Sequence, residues 1–165
     1  MIGEYARLTP AELERAVEDP HCALVFIEEL IDVGMDEPDA SQPRCLDIDK
    51  AWDALALMLR RIDFPVDIVH GEEEIPGADE WGHGPPRYLI PEQVRAASAA
   101  LAGTPSNVLS RGITAAELAR ADLYPSISED EVGDWLNYVV HHYDALVPFF
   151  EAAARDGDAM VVWLD

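Results

Sequence analysis

Lys50 is the single lysine among 165 residues, and it stands inside Leu46-Asp47-Ile48-Asp49-Lys50-Ala51-Trp52-Asp53. Three carboxylates lie within three positions of its ammonium. Opposite charge nearby favours the charged form of an amine. This lysine is therefore held away from Schiff-base or general-base chemistry, which needs a depressed pKa. What remains is electrostatic: an ion-pair fastener joining one helix to a neighbour, or an anion anchor. On a helix, Asp47 is placed as N-cap and Asp53 reaches Lys50 across one turn, with Asp49 on the same polar stripe.

A second group is Trp81-Gly82-His83-Gly84-Pro85-Pro86-Arg87-Tyr88, which closes a long acidic loop from Glu72 to Pro86. Its two glycines permit close backbone approach, its prolines stiffen the exit, and Trp81 and Tyr88 offer rings. It lacks the Gly-Lys-Ser/Thr ending of a phosphate-binding loop. The segment reads as an Ω-like cover over the core, with a ligand lid as the competing reading. Asp67, His70, Glu73, Asp79 and His83 share the region, but no two histidines have the H-E-x-x-H spacing, so no metal or cofactor is expected. No G-x-S-x-G nucleophile elbow occurs. His141 and His142 are adjacent on a helix, which turns His142 toward the core and His141 toward solvent. Cys22 and Cys45 have no neighbouring cysteine at ligand spacing and read as reduced, buried or half-buried thiols.

The elements that must carry these groups can be read from periodicity and caps. Ile2 to Leu8 reads as a strand. Thr9-Pro10 with Glu12 is a capping box opening a helix that Pro20 ends. A second helix carries Cys22, Ala23, Phe26, Ile27, Leu30 and Ile31 on its apolar side and closes at Gly34; Asp36 to Pro43 is a polar loop. Ile48, Ala51, Trp52, Leu55, Leu59 and Ile62 form one buried stripe of a helix starting near Asp47. Val66 to Gly71 is ambiguous between a strand and a helical turn, and Arg87 to Ile90 reads as a short strand. Helices follow from Pro91 to about Ala102 and from a Thr114 cap. Ser128 and Glu131 read as a capping box for a long helix that buries Val132, Trp135, Leu136, Val139, Tyr143, Leu146, Phe150 and Ala153. Pro148 should kink that helix and Gly157 should end it. Asp158 to Leu164 is a nearly continuous apolar run, as expected of a strand buried on both faces.

The Leu-Asp-Ile-Asp-Lys-x-Trp-Asp pattern, together with Tyr124-Pro125 and the closing apolar strand, resembles the YfbM-like family, a bacterial domain of unknown function (domain of unknown function 1877). The resemblance spans the whole chain. It implies an α+β fold: a mostly helical single domain, residues 1–165, with a small sheet that includes the N- and C-terminal strands. It brings no activity with it.

The formal net charge is −22, and ten arginines supply nearly all the positive charge. Such a balance excludes nucleic-acid binding, which draws its affinity from Lys and Arg, and disfavours anionic membranes. Apolar runs are too short to span a bilayer, and the N-terminus lacks the basic start and apolar core of a signal peptide, so a cytoplasmic location is expected. Nothing in the sequence speaks to oligomeric state. The expectation is an acidic, non-enzymatic interaction protein with a basic protein partner, of which an immunity- or antitoxin-like role is one version. The alternative is a small-molecule-binding protein or hydrolase. Its pocket would lie between the Lys50 helix and the Trp81–Tyr88 loop, with Asp49, Lys50, Asp53, Trp81, His83 and Tyr88 as ligand-binding candidates.

Overall fold

Thr9 makes the predicted capping box: its hydroxyl accepts from the Glu12 N–H at 3.3 Å, and the Glu12 carboxylate accepts from the Thr9 N–H at 2.7 Å. The box separates strand β1 (Gly3–Leu8) from helix α1 (Pro10–Glu18). The computed structural model describes residues 1–36, 43–78, 81–126, 128 and 130–165. Helix α2 (Pro20–Asp36) runs past Gly34, where it was expected to close. Residues 37–42 of the loop expected after it lie outside the described residues. Then come strand β2 (Cys45–Asp47), helix α3 (Trp52–Arg61), strands β3 (Glu73–Glu74) and β4 (Arg87–Leu89), and helix α4 (Pro91–Gly103). Two short helices, α5 (Ser106–Leu109) and α6 (Ala115–Arg120), precede the long α7 (Val132–Asp156), and β5 (Ala159–Leu164) closes the fold.

Among the described residues, five strands form one antiparallel sheet in the order β2-β1-β5-β4-β3. The architecture is α+β, mostly helical, with the N- and C-terminal strands side by side in the sheet. The continuous apolar run of β5 is explained by its place in the middle. Met160 and Val162 enter the core built with α3, α4 and α7, whereas Ala159, Val161 and Trp163 enter the core built with α1 and α2. Alternation of side chains along a strand requires this division. Arg7 is buried between the two ends of the chain, its guanidinium donating to Asp158 and Asp156, each at 2.7 Å. Gly157 ends α7 in the left-handed region, as the sequence implied, and the helix is unbroken through Pro148.

Four local expectations need correction. Asp47 ends a strand instead of capping a helix, because Leu46 and Asp47 pair with Tyr5 and Glu4 of β1. Asp49 then takes a φ of 44°, a left-handed value that aspartate tolerates better than most residues, so the α-helix starts only at Trp52 after one 3₁₀ turn. The Ser128 hydroxyl bonds the Glu131 side chain, and α7 starts one residue later without a side-chain cap. Cys22 is exposed, while Cys45 is half-buried; both are free thiols. The ambiguous segment Val66 to Gly71 is a turn, closed by Gly71 N–H on the Asp67 carbonyl at 3.0 Å.

Glu4 sits on β1 directly across from Asp47. Burial first, then the carboxylates of Asp47 and Asp165, push its carboxyl up to about 7. The folded state therefore holds a proton that the unfolded chain releases above 4.5, and the associated stability is lost as pH rises through about 7. Glu4→Gln is expected to match the wild type at about pH 4 and to exceed it by about 1–2 kcal/mol at about pH 8. Urea denaturation across that range measures the difference, and a gap that does not change with pH contradicts the assignment.

Candidate functional site

Asp49, Lys50 and Asp53 stand at the start of α3, where it meets α7 and the Tyr124–Pro125 segment. Asp47 Oδ1 accepts from the Asp49 N–H at 3.1 Å, tightening the entry turn. The Lys50 main-chain N–H donates to the Tyr138 hydroxyl at 3.0 Å. Its side chain is exposed and, among the described residues, forms no ion pair. Asp53 instead accepts from the main-chain N–H of Tyr124 at 2.9 Å. The expected charge lock between Lys50 and its neighbours is thus absent. The 3₁₀ turn that starts at left-handed Asp49 takes Lys50 out of the helical register that the pairing assumed.

Tyr138 links this corner to a groove of about 440 Å³ lined by Pro125, Ser126, Glu131, Asp134, Trp135 and Tyr138. The peptide bond Tyr124–Pro125 is cis. The Trp135 and Tyr138 rings are stacked with centroids 4.7 Å apart, and the His142 ring stands edge-on to Tyr138 at 4.6 Å. Burial, reinforced by the Asp49 carboxylate, pushes the Tyr138 phenol up to about 12, so it stays protonated. Burial and neighbouring His141 hold the His142 imidazole below its usual range, against the pull of Asp47 and Asp49. The Trp135 indole N–H is shut off from solvent and has no acceptor among the described residues.

A smaller cleft of about 220 Å³ lies across the ends of β4 and β5, lined by His70, Glu74, His83 and Arg87 among others. His70 Nδ1 is 3.1 Å from Asp67 Oδ2. Burial of Asp67 opposes its ionisation, but hydrogen bonds from the His70 ring and main chain outweigh that and hold its carboxyl below the usual range. Arg87 is fully engaged, with Glu74 at 2.8 Å and the carbonyls of Gly71 and Glu72. Trp81 is buried against Trp163, edge to face at 5.9 Å. The His83 side chain is exposed, while its N–H donates to the Leu164 carbonyl at 2.7 Å. Gly82 must be glycine: its φ is +67°, and a Cβ there would lie 2.7 Å from the Leu164 carbonyl oxygen. The Tyr88 hydroxyl donates to Glu73 at 2.9 Å. Asp79 lies outside the described residues; among those described, no group of three or more His, Cys, Asp or Glu is placed to hold a metal ion.

The six candidates therefore separate. Asp49, Lys50 and Asp53 sit beside the Trp135–Tyr138 groove, and Trp81, His83 and Tyr88 lie by strands β4 and β5, Trp81 buried and the His83 side chain exposed. Neither cleft is lined by members of both groups. The family described as a domain of unknown function, DUF1877, matches residues 1–163. The chain belongs to this family. The crystal structure of YfbM from Escherichia coli, a protein of unknown function, superposes with a TM-score of 0.70 over 100% of both chains at 19% identity. At that identity the likeness shows the fold alone. No curated protein matches the chain.

In this DUF1877 chain the groove residues Glu131, Asp134, Trp135 and Tyr138 recur at intervals of three, one and three, which places them on one helix face. The apolar periodicity of α7 predicts Trp135 in the core, where it is only half-buried. The two acidic positions are one turn apart at the groove rim. Asp53, as acceptor for a main-chain N–H, is a structural anchor for the opposite wall. Asp53→Ala is expected to cost about 1–3 kcal/mol. Lys50→Ala should change stability by no more than about 0.5 kcal/mol. Chemical denaturation of the two variants checks the order, and a larger loss from Lys50→Ala contradicts it.

Proposed function

We propose that this protein is a non-enzymatic interaction protein of the bacterial cytoplasm that engages a basic protein partner. The observation that carries the reading is how its cations are used. Among the described residues, six of the ten arginines (Arg7, Arg44, Arg61, Arg87, Arg95 and Arg155) are paired with the chain's own carboxylates. Against 33 acidic residues, this leaves a surface whose unpaired charge is overwhelmingly negative. Such a field repels polyanions and accelerates encounter with a cationic surface. An immunity- or antitoxin-like role is one form this takes. A small-molecule role has one observation in its favour. Asp67 holds His70 Nδ1, which leaves Nε2 available as a base in the cleft that His83 also lines.

The interaction reading is tested by affinity purification of the tagged protein from its own host at two ionic strengths. One defined basic protein is expected to be retained at about 50 mM salt and released at about 500 mM, where screening shortens to a few ångströms. Loss of every partner at the lower ionic strength contradicts the reading.

A further inference from the structure

We infer that the groove between Pro125 and the Trp135–Tyr138 face of α7 is a docking site for an arginine side chain presented by a basic protein. The inference rests on the interaction reading above and gives it an address. The groove has what a guanidinium on an aliphatic stem requires. Pro125 and the stacked Trp135–Tyr138 pair supply an apolar wall for the methylenes. The outer face of such a stacked pair attracts a planar cation. Glu131 and Asp134 stand one turn apart at the rim; Glu131 Oε2 accepts from Ser128, and neither carboxylate is ion-paired within the chain among the described residues.

Charge complementarity selects the occupant. The two charged side chains named in the lining are both carboxylates, and Asp49 adds a third negative group behind the Tyr138 hydroxyl. Lys50 reaches Tyr138 only through its main chain and leaves its side chain in solvent, and the N-terminal ammonium of Met1 is bonded outside the lining, to the Tyr124 hydroxyl at 3.2 Å. The walls also favour arginine over lysine, because a delocalised, weakly hydrated guanidinium stacks on rings and forks to a carboxylate, whereas an ammonium is a strongly hydrated point charge. The groove therefore selects by shape as well as by charge, which the diffuse acidic surface alone does not.

The test is an NMR titration of the full-length protein with a capped peptide, Gly-Ser-Arg-Ser-Gly, read at the tryptophan indole N–H resonances. Peptides carrying citrulline or lysine in place of arginine serve as comparisons. The Trp135 indole signal is expected to shift saturably with the arginine peptide, while those of Trp81 and Trp163, which belong to the opposite core, stay in place. Citrulline should weaken binding about tenfold or more, and Asp134→Asn or Tyr138→Leu should do the same. Glu28→Gln with Glu29→Gln, exposed on α2, should leave affinity within about twofold. Equal weakening by the α2 pair, or a Trp135 signal that does not move, overturns the groove as the site. Neither result affects retention of a basic partner from the host, so the two readings fail separately.

Discussion

The guanidinium of Arg7, 4% exposed in the middle of the fold, is the constraint from which the rest of the architecture is set. A buried charge is tolerable only if its partners are close and its donors are satisfied. Here Nε and Nη2 donate to Asp158, and Nη2 also reaches Asp156 at the end of α7. These contacts join the second strand position from the end of β1 to the residue that begins the run into β5. They fix the register in which Arg7 faces Met160 and Gly3 faces Leu164. Slippage by one residue would move the aromatic and aliphatic side chains of β5 to the wrong core, and would strand a cation in apolar surroundings.

Both clefts inherit their positions from that register. At the Gly3 end of β1, the Gly3 carbonyl accepts from the Ile48 N–H at 2.8 Å, which sets where the Asp49 turn and α3 begin. A Cβ on Gly3 would lie 2.8 Å from the Ile48 side chain, so only glycine admits the approach. At the end of β5, the Leu164 carbonyl receives the His83 N–H and seats the loop against the sheet. Trp52 spans the distance between the two regions, stacking on Tyr124 at 6.0 Å and meeting His70 edge-on at 6.2 Å. The acidic corner at Asp49 and the histidine cleft are thus held by one packed aromatic.

Much of this was readable from residue types, because the features concerned are local. Thr9, Pro10 and Glu12 define a capping box whatever surrounds them, and Gly157 supplies the left-handed residue that ends α7. The continuous apolar run of β5 announced burial on both faces. What could not be read depends on partners distant in sequence. A three-residue edge strand such as β2 exists only because β1 lies beside it, and the two-residue β3 depends likewise on β4. The fate of Lys50 turned on one dihedral angle at Asp49, which carboxylate spacing does not encode. Trp135 lies on the helical face that the periodicity picks out, but a stripe of aromatics looks the same whether a neighbouring helix or solvent covers it, and Tyr138 carries no such signal.

The central claim, that the Arg7–Asp158 pair sets the register of the terminal strands, is most directly tested by a double-mutant cycle. Arg7→Met, Asp158→Asn and the double variant would be compared by urea denaturation. The account predicts a loss of about 3–5 kcal/mol for Arg7→Met alone, since it leaves a buried carboxylate uncompensated. Adding Asp158→Asn should restore a substantial part of that loss, giving a coupling energy of about 1–3 kcal/mol. Losses that simply add would contradict it.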